Sequence, residues 1–242
     1  MIRVTSMTNK KVALLYSGGP DSTTLLFDLI DQGREVVALT FDFGEAEGYK
    51  ELIAAKSIIE RVGVEHHFFD FSGPLKEFYG LKQPQFMRGA QWTTMQTPPV
   101  NESEDIQPFG SSIALLLAAS WAVKNGIEDV FYAVHAEDAR FTDNKLDYFS
   151  LLSDVTSKCE GEQFRIKFHT PYISIRKHEV FEKGASLEVP FNETWSCGKG
   201  LEAHCGTCPT CHERAGAFAV NGIQDPTLYI NEFAQVLEPN SL

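Results

Sequence analysis

Seven residues set between an apolar run and an amphipathic one constrain this chain more than any other feature. Lys11 to Tyr16 (KVALLY) has the length and flanks of a buried strand, and Ser22 to Asp31 carries apolar residues at helical spacing. Ser17, Gly18, Gly19, Pro20, Asp21, Ser22 and Thr23 form the junction. Gly18 and Gly19 let the backbone approach an anion, and the following helix aims its unpaired N–H groups and positive dipole end at the same place. Ser17, Ser22 and Thr23 offer hydroxyl donors, and Asp21 offers a carboxylate for a Mg²⁺ bridging phosphates. The segment therefore predicts a polyphosphate cradle. It lacks the Gly-Lys-Ser/Thr ending of a Walker A loop and the spacing of a dinucleotide fingerprint, so both assignments are excluded.

The pattern continues as alternating strands and helices. Glu35 to Phe43 reads as a second buried strand, Tyr49 to Val62 as an amphipathic helix and Glu65 to Phe71 as a third strand, an order that argues for an α/β fold with a parallel sheet. From 72 to 107 the periodicity fades, and a segment of that length inside a compact domain reads as a lid or substrate loop. Regular structure returns with a helix over Gly110 to Lys124, a strand over Asp129 to His135, a helix over Lys145 to Lys158 and a strand over Phe164 to His169. Ser174 is the expected cap of a further helix reaching about Gly184.

The five cysteines divide unevenly. Cys197, Cys205, Cys208 and Cys211 fall in one short segment, whereas Cys159 stands apart in a helical pattern that reads as core packing. The spacing C-x7-C-x2-C-x2-C, with Gly198, Gly200 and Gly206 interspersed, suits a tetrahedral Zn²⁺ with no open position, a structural staple. An iron–sulfur cluster, a ligand exchanged for His204 or His212, and thiol redox chemistry at Cys208 and Cys211 are the alternatives. With 33 acidic against 21 basic residues and a net charge of -12, the chain is ill suited to a nucleic-acid partner. No apolar leader precedes Lys11 and no stretch is long enough to span a bilayer, which predicts a soluble, cytoplasmic protein without membrane contact.

SGGPDST resembles the signature of the PP-loop ATP pyrophosphatases, which cleave ATP between the α and β phosphates and leave an adenylated substrate. The resemblance implies a Rossmann-like parallel sheet of the adenine nucleotide alpha hydrolase-like type. It also implies a nucleoside site at the end of the second strand, where Phe41 and Phe43 lie. Toward the C-terminus, Thr170, Pro171, Lys177, Thr194, Trp195, Ser196, Cys197, the CGTCPTC run, Arg214, Ala217, Phe218, Gly222 and Asp225 occur in an order similar to the 7-cyano-7-deazaguanine synthase family, also called QueC. On that resemblance residues 1–190 are the PP-loop domain with an insertion at about 72–107, and residues 191–242 are a zinc-binding and helical region of the same unit.

The resemblance implies an ATP-dependent carbon–nitrogen ligase. It would bind 7-carboxy-7-deazaguanine, adenylate its carboxylate with Mg-ATP, release pyrophosphate and pass the acyl group to an amine. Ser17, Asp21, Ser22 and Lys177 would be catalytic, with Lys177 stabilising charge on pyrophosphate. The family's Pro-x-Arg-Asn motif is replaced by Pro108, Phe109, Gly110 and Ser111, its Tyr-Pro-Asp-Cys-Arg by Phe141, Thr142, Asp143, Asn144 and Lys145, and its Gly-Gln by Gly44 and Glu45. Gly110, Ser111, His135, Asp138, Asp143 and Lys145 are thus the candidate substrate residues. The acceptor is ammonia, giving amide and then nitrile, or a protein amine in an antiphage-defence paralogue. A homodimer is left open. The rival readings are a PP-loop tRNA thiolation enzyme and an ATP-binding subunit without turnover.

Overall fold

The computed structural model describes residues 10–79, 110–159 and 164–230. Strand β1 (Lys11–Leu15) leads into helix α1 (Pro20–Asp31), β2 (Glu35–Asp42) into α2 (Gly48–Val62), and β3 (Glu65–Asp70) into α3 (Ser72–Tyr79). Helix α4 (Gly110–Lys124), β4 (Asp129–Phe131), α5 (Leu146–Cys159), β5 (Lys167–His169), α6 (Lys177–Ser186) and α7 (Pro209–Val220) follow. The strands pair in parallel in the order β3-β2-β1-β4-β5.

Continuous apolar strands suit a sheet covered on both faces. Leu15, Val37, Leu39 and Val130 pack with Leu115, Ala118 and Ala122 of α4 and Phe149 of α5 on one side. Leu14, Val36 and Ala38 pack with Leu25 and Leu29 of α1, Ile58 of α2 and Val180 of α6 on the other. Because β1 lies between β2 and β4, the chain reverses its direction of travel across the sheet there. Such a reversal opens a crevice at the carboxyl ends of the two strands that diverge from it. The loops following β1 and β4 meet in that crevice.

Several sequence expectations need correction. Residues 72–79 form a helix instead of patternless chain, while the rest of the expected lid, 80–107, lies outside the described residues. Ser174 caps nothing: it is exposed in the turn closed by Ile175 N–H and the Tyr172 carbonyl, and Arg176 is the N-cap, its N–H donated to Glu179 at 2.7 Å. Cys159 is not core; it is exposed as the last residue of α5. Strand β4 ends at Phe131, level with the end of its three-residue partner β5; the Tyr132 N–H still donates to the His169 carbonyl at 2.9 Å, and Ala133 to His135 continue past the ladder.

Candidate active site

The loop after β1 is held open by its own geometry. Gly18 has φ +80, a left-handed conformation that costs a side chain about 1–2 kcal/mol. A Cβ there would lie 2.5 Å from the backbone nitrogen of Ala55 and 2.7 Å from the carbonyl of Glu51, so the loop rests directly on α2. Gly18→Ala is therefore expected to destabilise the fold by about 2 kcal/mol or more, read as a lower urea midpoint, since neither backbone neighbour is free to retreat.

Gly19 is the N-cap of α1, Pro20 occupies its first turn and no side chain caps the helix. Ser17 Oγ accepts from Gly19 N–H and lies 3.2 Å from Ser22 Oγ, which donates to the Gly19 carbonyl. Two of the three predicted hydroxyls thus border the loop. Thr23 does not: it is fully buried with its Oγ1 3.2 Å from the Tyr16 hydroxyl, so its side chain packs the core instead of meeting phosphate.

Asp21 is the loop's only acidic group, and its two oxygens differ. Oδ2 accepts from Lys177 Nζ at 3.2 Å, whereas Oδ1 is buried without a hydrogen-bond partner. Burial pushes the Asp21 carboxyl up, but Lys177, His135 and Arg214 more than offset this, and it titrates below the usual carboxylate range. An ionised oxygen with no donor is a fitting ligand for a hard cation such as Mg²⁺. Lys177 opens α6, 3.6 Å from Glu213 of α7, with its side chain largely buried. Burial lowers its ammonium, yet Asp21, Glu213 and Asp138 raise it above its ordinary value, so it stays charged.

The loop after β4 supplies the second wall. His135 is buried, with Nδ1 3.0 Å from Glu137 and its N–H donated to Asp138 at 3.0 Å. Glu137 also accepts from the Lys177 N–H, tying this loop to α6. Burial pushes the Asp138 carboxyl above its usual value despite His135 and Lys177 nearby. Asp21 and Asp138, both near the Lys177 ammonium, are thus driven in opposite directions.

Tyr132 is the residue that sequence reasoning missed. Its hydroxyl hydrogen-bonds the buried Ser111, and burial, then the charges of Asp138, Asp143 and Glu45, push its phenol up. Ser111, next to Gly110 at the start of α4, thus meets this hydroxyl, which lies within the field of Asp138, Asp143 and Glu45. Lys145 instead is exposed ahead of α5. Phe43 is buried and Phe41 half-buried, their rings stacked with Phe69 and Phe71 in the core beneath α4.

The four C-terminal cysteines come together as the spacing predicted. Their sulfurs lie within 4.8 Å of one another, with Cys205–Cys211 at 3.9 Å and Cys208–Cys197 at 4.0 Å, and all are buried. A tetrahedron of thiolates at about 2.3 Å from Zn²⁺ has edges of about 3.8 Å, so the set fits that ion. Backbone N–H groups of Thr207 and Cys208 point at Cys205 Sγ at 3.3 and 3.2 Å, as toward a thiolate. His204 is no ligand: its Nε2 accepts from Ser196 N–H at 3.1 Å, and its ring lies 4.3 Å from Trp195. Among the described residues no helix is long and apolar enough to cross a membrane.

Comparison with known proteins agrees with this geometry. The family model for queuosine biosynthesis protein QueC matches residues 11–222. A 7-cyano-7-deazaguanine synthase of Methanoregula boonei is 35% identical over 222 residues, covering 90% of this chain and 99% of the relative. Relatives of the same name from Psychromonas ingrahamii (32%, covering 91% and 98%) and Archaeoglobus fulgidus (32%, covering 94% and 94%) are similar along comparable lengths.

Proposed function

From the premise that this chain belongs to the QueC family, we propose that it is an ATP-dependent ligase that adenylates the carboxylate of 7-carboxy-7-deazaguanine and passes the acyl group to ammonia. The observation that carries the reading is the pairing of Lys177 with Asp21 at the phosphate loop, in the crevice between the ends of β1 and β4.

In this reading the loop N–H groups and the start of α1 bind the phosphates, and Lys177 neutralises the charge that grows on pyrophosphate as it leaves. Asp21 would hold a Mg²⁺, which supplies further neutralisation of the phosphates. A carboxylate oxygen of the substrate bonds to the α-phosphorus while the bond to the pyrophosphate oxygen breaks. Ammonia then bonds to the acyl carbon, AMP leaves and the amide results. A second activation at the amide oxygen, with loss of two protons and AMP, gives the nitrile. In this reading Asp138, whose carboxyl is raised by burial, would accept a proton from the incoming amine. Cys197, Cys205, Cys208 and Cys211 would hold Zn²⁺ as a structural ion with no part in these steps.

Ammonia is favoured over a protein amine because the relatives are named for a cyano product, which a protein amine could not yield. Incubation with Mg-ATP, 7-carboxy-7-deazaguanine and ammonium is expected to release pyrophosphate and yield the free nitrile by mass spectrometry. A mass increment on a protein would transfer the acceptor role to a protein amine. No pyrophosphate with any acceptor would reject the substrate and leave the ATP-binding subunit.

A further inference from the structure

The cysteine knuckle reaches the nucleotide loops through two backbone contacts. Trp195, two residues before Cys197, donates its N–H to the Gly18 carbonyl at 3.1 Å, and its own carbonyl lies 3.4 Å from where a Gly19 Cβ would stand. Gly200, with φ +57, presses on the turn between β2 and α2 so closely that a Cβ would come 2.1 Å from the Ala46 carbonyl. Gly18 in turn rests on α2 at Ala55. The knuckle therefore touches both the loop and the element beneath it.

Trp195 is itself fixed by the knuckle. Its Nε1–H donates to the Cys197 carbonyl at 2.8 Å, its ring packs on His204, and Lys50 Nζ sits 5.7 Å from its centroid. The consequence for the loop follows from peptide planarity. The Gly18 carbonyl and the Gly19 N–H belong to one rigid plane, so anchoring the carbonyl fixes where that N–H points. Glycine at both positions leaves the plane easy to turn, and it is held from within by Ser17 Oγ, which accepts from the Gly19 N–H at 3.2 Å, and from outside by Trp195.

We propose that the cysteine knuckle is a positioning element for the phosphate loop: the metal orders Cys197, Cys197 orders Trp195, and the Trp195 N–H sets the Gly18–Gly19 peptide plane. The ATP readout below rests on the proposed function; the exchange readout does not.

The test compares metal-loaded full-length protein with the same protein after chelation and with Cys211→Ser. Amide hydrogen exchange at Trp195 is expected to accelerate at least about 10-fold on metal loss while Ala13 and Leu14 of β1 stay protected, and the Kd for ATP to weaken about 10-fold, the order of one backbone hydrogen bond. Unchanged exchange at Trp195, or equal acceleration in β1, overturns the proposal, the latter because it makes the knuckle a general staple. Gly200→Ala provides a second route without touching a ligand. It should keep its metal and still lose ATP affinity several-fold, and wild-type affinity at full metal content would count against the coupling. If the metal-loaded wild type binds no ATP, the proposed function fails, while exchange at Trp195 still decides the role of the knuckle.

Discussion

Asp21→Asn is expected to slow pyrophosphate release by about 10²–10³-fold, the loss typical of removing one charge-stabilising group from a pre-organised site. Asparagine keeps the shape of the side chain but withdraws the charge from both the Lys177 contact and the partnerless Oδ1. The fold should survive, because Lys177 retains Glu213 at 3.6 Å and Glu137 still accepts its N–H. Single-turnover pyrophosphate release, with the unfolding midpoint measured in parallel, separates the two effects. A variant within threefold of wild type would remove Asp21 from the catalytic set and leave its pairing with Lys177 a structural one.

That pairing also marks where the sequence stops being legible. Ser17, Gly18, Gly19 and Ser22 could be read because their spacing is local: glycine freedom, a strand before and a helix after specify a loop within a few residues. The cysteine set was legible for the same reason, since the chain between Cys205 and Cys211 is too short to scatter them. Lys177 lies 156 residues beyond Asp21, and only the packing of α6 against α1 brings them together. Nothing local distinguishes it from a solvated lysine at a helix start.

Thr23 and Tyr132 fail in opposite directions. A threonine in a phosphate-loop signature looks like a ligand, yet its position in α1 turns it to the buried Tyr16 hydroxyl. A tyrosine in an apolar strand looks like core, and Tyr132 does pack on the core, yet its hydroxyl bonds Ser111 near Asp138, Asp143 and Glu45. Strand alternation up to His135 was the available signal.

Arg214→Ala should be strongly destabilising, because Arg214 is a fully buried charge that ties two segments, 191–194 and 225–227, to α7. Its Nε–H donates to Thr227 at 2.5 Å, and its two terminal nitrogens donate to Thr194 Oγ1 at 2.8 Å and the Phe191 carbonyl at 2.6 Å. Phe218 lies beneath the guanidinium, and Asp225 is its ion-pair partner at 3.8 Å. Removing one member of a buried pair typically costs about 3–5 kcal/mol. Here the lower end applies, since Asp225 keeps two other donors, the Thr227 N–H and the Tyr229 hydroxyl. For a chain of this size, about 3 kcal/mol corresponds to a Tm roughly 6–12 °C lower. Arg214→Lys should fall nearly as far, because an ammonium cannot reproduce the planar fork that meets Thr194, Phe191 and Thr227 together. Thermal unfolding of both variants with metal content matched decides the point, and a lysine variant as stable as wild type would mean that charge alone, without the fork, holds these segments.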